Sequence, residues 1–199
     1  MSDRIEIGAA VPRRRSRVLR AVGRAVLRAF GWRLDVCVPD EPKLVVIAAP
    51  HTSNWDFVFG LGAILAVEVD LHWFGKHTIF NGPWGGIFRA LGGIAIDRGA
   101  PGGVVRQTAQ AFTDNAQLII GLAPEGTRAR GTQWKHGFYH LAHSAGVPVL
   151  AAYIDHQRKI VGTGPVFRTT GDWDRDIAPV AAFYKASMAK VPAHFTPLV

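Results

Sequence analysis

Short apolar runs rich in β-branched residues alternate along this chain with stretches of helical period. Lys43–Ala49 (KLVVIAA) has the unbroken apolar pattern of a buried strand. Trp55–Val67 predicts a helix so apolar that it must be packed on several sides. Leu71–Phe74 and Ile94–Asp97 predict short strands around a Gly-interrupted helix at Pro83–Leu91. Val104–Asn115 predicts a helix, Gln117–Leu122 (QLIIGL) a strand, Lys135–Ala145 a helix and Val147–Ile154 a strand. Lys159–Phe167 predicts a strand or hairpin. Asp172 offers a cap for a last helix to about Lys190, with Pro179 leaving its start undefined. Strands alternating with helices imply an α/β fold: a single domain with a mixed, mostly parallel sheet flanked by helices.

The first segment has a different character. From Ser16, a candidate N-cap, the residues Val18, Val22, Ala25, Val26, Ala29 and Phe30 follow three- and four-residue spacing. Arg17, Arg20, Arg24 and Arg28 fall mostly on the other side, Gly31 offers a stop, and Trp32 suits a membrane–water boundary. Residues 1–33 carry nine Arg against Asp3 and Glu6, a net +7, whereas residues 34–199 carry 14 basic and 13 acidic residues, a net +1. The chain is therefore expected as a basic amphipathic N-terminal helical arm, 1–33, and an α/β body, 34–199. Such an arm suits an anionic membrane surface, contacted through residues 16–32. A basic helix docked on its own domain and a nucleic-acid contact give the same pattern. The Arg-rich start also resembles an organelle transit peptide, whereas Arg13 to Arg17 and Arg20 interrupt any apolar region of a secretory signal. The longest apolar run, Phe57–Val67, has eleven residues, short of the roughly 18–20 that a spanning helix needs. A cytoplasmic, peripherally membrane-associated protein is the expectation.

Composition adds little beyond this. A chain of 199 residues, 48% hydrophobic and 19% charged, is expected to fold as one globule. One cysteine, Cys37, excludes an internal disulfide and a Cys-based zinc cage. The overall charge of +8 points to an anionic partner.

In α/β sheets, function collects in the loops at the carboxyl ends of strands, and three polar clusters occupy such positions. The first is PHTSNWD, in which His51 leaves a strand and Asp56 begins a helix. A turn of this length can fold the carboxylate back onto the imidazole, which then takes a proton from a hydroxyl near neutral pH. Alternatively, Asp56 caps the helix and His51 binds turn backbone. No Gly-x-Ser-x-Gly elbow is present, so a nucleophile activated by His51 belongs to a substrate. The second cluster is Asp97–Arg98. The third is APEGTRARG, where Gly126 permits close backbone approach and Arg128 can grip a phosphate, or Glu125 and Arg128 can form a surface ion pair.

These clusters resemble, in order, the motifs of the glycerolipid and lysophospholipid acyltransferases, which include the 1-acyl-glycerol-3-phosphate acyltransferases. His51–Asp56 resembles the family's His-x-x-x-x-Asp motif, Gly92–Arg98 the second, Pro124–Arg128 (PEGTR) the third and Val147–Ile154 the fourth. The likeness spans about residues 45–155 and implies His51 as general base, Asp56 as its orienting partner, and Lys76, Arg98, Glu125, Gly126, Thr127 and Arg128 at the substrate. It implies direct acyl transfer from acyl-CoA or acyl-carrier protein to a glycerol-phosphate or lysophospholipid hydroxyl. Neither a metal nor a cofactor beyond that co-substrate is implied, and nucleic acid is not expected. The alternatives are the same chemistry on a non-glycerophosphate lipid, or a non-catalytic module binding anionic membrane or nucleic acid. His136, His140 and His143 share helical spacing but lack a placed carboxylate. They and His72, His77 and His156 are expected at the surface or satisfied in the core, and the six Trp are expected as core or interface anchors, with Trp55 and Trp84 also near enough to the motifs to line an acyl channel.

Overall fold

A computed structural model of the chain describes residues 2–96 and 103–198. In chain order the elements are β1 (Arg4–Ile7), α1 (Arg17–Ala29), β2 (Arg33–Val38), β3 (Lys43–Ala49), α2 (Asn54–Val67), β4 (Leu71–Lys76), α3 (His77–Phe80), α4 (Gly85–Ala90), β5 (Gly93–Ile96), α5 (Gly103–Asp114), β6 (Leu118–Leu122), α6 (Gly137–Ala145), β7 (Val149–Asp155), β8 (Ile160–Phe167) and α7 (Trp173–Phe183). Short 3-10 turns follow at Ala186–Met188 and Pro192–His194.

The strands form one eight-stranded sheet in the order β1-β2-β8-β7-β3-β6-β4-β5. Every ladder is parallel except β7 with β8, so the sheet is mixed and mostly parallel, as the sequence pattern implies. β3 lies between β6 and β7 and is covered on both faces, hence its unbroken run of apolar residues. Leu44 and Val46 face the layer built by α1 to α4, while Val45, Ile47 and Ala49 face the layer of α5, α6 and α7.

Two strands lie outside the sequence expectation. β1 and β2 are short and alternate polar with apolar residues, Leu34, Val36 and Val38 pointing inward from β2, a weak period-two signal. Their presence changes the picture of residues 1–33. β1 is the edge strand of the common sheet, β2 begins at Arg33, and α1 lies on α2. The last helix is also shorter than expected. Pro179 sits inside α7, the helix ends at Phe183, and Tyr184 is extended, its hydroxyl donating to the Ile47 and Ala152 carbonyls.

Ser16 caps α1 by accepting the Leu19 N–H, and Gly31 takes φ 71° just past its end, as the sequence suggests. The buried side of α1 is Gly23 and Leu27. Much of the regular apolar stripe lies elsewhere on the cylinder: Val18 is 72% and Val22 48% exposed, with Arg17, Arg24 and Arg28 beside them. Gly23 fixes this arrangement, because a Cβ there would fall 2.5 Å from the Gly62 carbonyl oxygen and 2.7 Å from the Ala66 nitrogen. The two helices thus meet backbone to backbone. Gly23→Val is expected to push α1 off α2 and to destabilise the chain by about 1–3 kcal/mol, the usual cost of overpacking, read as a lower midpoint in urea unfolding.

Candidate active site

β3, β6 and β7 are parallel neighbours, so their carboxyl ends lie side by side. The loops that leave them carry His51, Glu125 and His156 respectively. Asp56 stands among them at the third position of α2.

The start of α2 follows from a local signal. Ser53 is the N-cap, its hydroxyl accepts the Trp55 N–H, and the Asp56 carboxylate returns to accept the Ser53 N–H at 2.7 Å. The same oxygen, Oδ2, accepts the Thr52 N–H at 2.6 Å and faces His51 Nδ1 at 3.7 Å. The other oxygen, Oδ1, lies 2.6 Å from Nε2 of His156. The Asp56 side chain is completely buried. This one carboxylate therefore caps the helix and hydrogen-bonds His156, while His51 Nδ1 stands 3.7 Å away, beyond hydrogen-bond distance.

Glu125 is also buried, at 3% exposure. Its Oε2 accepts the His51 backbone N–H at 2.6 Å, while Oε1 has no hydrogen-bond partner among the described residues. Expected at the substrate, this side chain holds the His51 loop to the β6 loop. No Glu125–Arg128 ion pair is present among the described residues. Burial lowers the His51 pKa below its ordinary value, with Asp56 opposing the shift and Arg128 adding to it, so the imidazole is a free base at neutral pH. Burial also raises the Glu125 carboxyl to about 7, against the pull of the His51 N–H and with the help of the Asp56 charge.

Of the remaining expected residues, Gly126 takes φ 67°, and Thr127 and Arg128 are exposed on the same loop. Thr127 accepts the Ala129 N–H through its hydroxyl. Lys76 ends β4, which places its backbone on the same sheet edge. Arg98 lies outside the described residues. His136 stacks on Trp173, with ring centroids 4.0 Å apart, and His143 approaches Thr169. Trp55 and Trp84 are 44% and 65% exposed, and neither lines the apolar cavity.

That cavity has a volume of about 220 Å³ and lies between α2 and the sheet. His51 and Asp56 line it, and it follows α2 through Phe57, Leu61 and Ile64 to Val67. Those eleven steps of helix span about 16 Å. Its other walls include Trp73 from β4 and Leu122 from β6.

Sequence reasoning did not single out His156. Its signal was available, since the residue directly follows the VLAAYID strand, at the same kind of strand end as the three clusters.

The fold and site together define an α/β protein whose His–Asp pair stands beside an apolar cavity at the carboxyl edge of a mostly parallel sheet. The chain belongs to the acyltransferase family, whose model matches residues 37–155. It is 29% identical over 131 residues to a 1-acyl-sn-glycerol-3-phosphate acyltransferase of Haemophilus influenzae, covering 61% of this chain. The match takes in 53% of that relative, so the chain spans about half of its length. The fold is similar to that of the 1-acyl-sn-glycerophosphate (LPA) acyltransferase PlsC from Thermotoga maritima, with a TM-score of 0.55 at 18% identity over 78% of this chain and 69% of that one.

The Glu125 shift has a consequence for stability. Between pH 4.5, its ordinary value, and about 7, the unfolded chain ionises this carboxyl while the folded chain keeps it protonated. The folded state then binds the extra proton, so this group's contribution to stability falls as pH rises through that window and is level above it. Glu125→Gln keeps an oxygen for the His51 N–H and removes the titration. Relative to this variant, the parent chain is expected to lose up to about 3 kcal/mol across the window, measured by denaturant unfolding at a series of pH values.

Proposed function

We propose that this chain transfers a fatty acyl group from an acyl thioester, acyl-CoA or acyl-carrier protein, to a hydroxyl of a glycerol-phosphate or lysophospholipid acceptor. The observation that carries this reading is the His51–Asp56 pair beside an apolar cavity that follows α2 for about 16 Å. The cavity takes the acyl chain and presents the thioester carbonyl to the carboxyl edge of the sheet. His51, neutral at pH 7, takes the proton of the acceptor hydroxyl. The oxygen attacks the carbonyl carbon, the carbon–sulfur bond breaks, and the thiol leaves with that proton. Nδ1 closes onto Asp56 Oδ2 as the imidazolium forms, which holds the ring and stabilises its charge. Arg128, exposed beside His51, and Arg98 and Lys76 supply cations for the acceptor phosphate. Glu125 acts through the backbone of His51. The family resemblance and the similarity to the Haemophilus influenzae relative support the same substrate class.

His51→Ala is expected to fold as the parent does and to lose at least about 10²-fold in acceptor-dependent thiol release from palmitoyl-CoA. Normal turnover by the folded variant would end this assignment. Glycerol 3-phosphate, lysophosphatidate and a phosphate-free lysolipid, run side by side, identify the acceptor.

Membrane attachment is part of the proposal. No helix among the described residues is long and apolar enough to cross a membrane. The exposed residues Val18 and Val22 of α1, Phe30 at its end and Trp55 and Val58 of α2 face outward beside Arg17, Arg24 and Arg28. Phe30 and Trp55 are in contact, with ring centroids 5.3 Å apart, so the two helices share one apolar surface. Apolar side chains entering the acyl boundary and arginines at the headgroups give a salt-sensitive interfacial contact. Replacing the three arginines with Ala is expected to weaken binding to phosphatidylserine vesicles about 100-fold, at about 1 kcal/mol for each charge. Co-sedimentation across a salt series measures it.

A further inference from the structure

The shortest imidazole contact of the Asp56 carboxylate is with His156, not His51: 2.6 Å from Nε2 to Oδ1, against 3.7 Å from His51 Nδ1 to Oδ2. An ionised carboxylate only accepts, so Nε2 of His156 carries the proton and donates it. The ring has little freedom to do otherwise. Its side chain is 10% exposed and lies edge-on to Trp32, with ring centroids 4.9 Å apart, and near Phe59. Its backbone N–H is fixed on the Met188 carbonyl. Packing this tight around a hydrogen-bonding edge aims that edge at one oxygen.

We propose that His156 is a positioning residue of the acyl-transfer site: its Nε2–H holds Asp56 Oδ1, which keeps Oδ2 facing His51 and tempers how strongly the carboxylate stabilises the His51 imidazolium. The inference rests on the reading of His51 as the base. Oδ2 already accepts the Thr52 and Ser53 N–H groups, so the carboxylate is anchored on one side by the turn and on the other by His156. Without the second anchor, Oδ1 is a buried acceptor with no donor, and the carboxylate is held through Oδ2 alone. Each donor on the carboxylate also draws charge away from its other partners. Removing one leaves more of that charge to His51, which then keeps its proton to higher pH. Among the described residues, the other ionisable groups facing His51 are Glu125 and Arg128 from the loop after β6. His156 is faced by Asp56 from α2 and by the uncharged Trp32, Phe59 and Met188 carbonyl, while Asp155 and Arg158 of its own turn pair with each other.

The test compares His156→Phe, which keeps a ring against Trp32 but donates nothing, with His156→Gln, which returns an N–H at similar reach. In the full chain, the imidazole nitrogens of His51 are followed by NMR as a function of pH, with His51→Ala giving the assignment. His156→Phe is expected to raise the His51 titration midpoint by roughly 0.5–1 pH unit and His156→Gln to return it. In thiol release from palmitoyl-CoA with lysophosphatidate, His156→Phe is expected to lower kcat about tenfold with little change in KM, and His156→Gln to recover most of it. If His156→Phe does not fold, His156→Leu is read in its place. An unchanged midpoint in the donor-free variant overturns the proposal, as does an activity loss that Gln does not rescue, since a purely structural role predicts both. Normal turnover by His51→Ala would instead fail the reading of the site, and the titration would still decide whether His156 acts on His51.

Discussion

The site depends on how one buried carboxylate is satisfied. Asp56 has no exposed side-chain surface, so leaving any of its hydrogen-bonding capacity unmet would be costly. Its oxygens take two backbone N–H groups from the turn after β3 and the Nε2–H of His156 from the turn after β7. The two backbone contacts belong to the start of α2. The third ties that helix to a strand on the far side of β3. α2 in turn covers the sheet, supports α1 and forms one wall of the apolar cavity. Helix initiation, the link from α2 to the turn after β7 and the orientation of His156 thus meet at a single side chain.

Around this point the sheet places titrating groups where water is scarce. His51 is pushed toward its neutral form and Glu125 toward its protonated form, both mainly by burial. The first shift favours a group that must accept a proton. The second keeps a carboxyl next to Asp56 without a full second negative charge. Glu125 is bound to the backbone of His51, which ties the loop after β3 to the loop after β6. The family match and the structural similarity concern the body and the sheet that make this arrangement possible.

Much of this was legible in the sequence, for identifiable reasons. β3 and β6 are covered on both faces, and burial on both faces demands an unbroken apolar run, which is the strongest strand signal. α2 is bounded by a capping box that its own residues complete. β1 and β2 were harder to see because alternation over four and six residues is weak, and their pairing is set by contacts distant in sequence. The face of α1 was misleading for a related reason. A helix docks where its backbone can approach closest, and Gly23 against Gly62 and Ala66 wins over the more regular stripe of Val18, Val22 and Ala25.

The sequence by itself determined the alternation of strands and helices, the ends of α1 and α2, the charge imbalance of the first 33 residues and the loops that hold the polar clusters, because each is encoded by neighbours a few residues apart. Tertiary structure decided which oxygen of Asp56 meets which imidazole. It also turned Glu125 onto a backbone N–H rather than Arg128, made the N-terminal segment part of the common sheet, and joined His156 to a carboxylate one hundred residues earlier in the chain. Those outcomes depend on the parallel registers of β6, β3 and β7 and of β1, β2 and β8, and a register is a relation between distant segments that no local pattern contains.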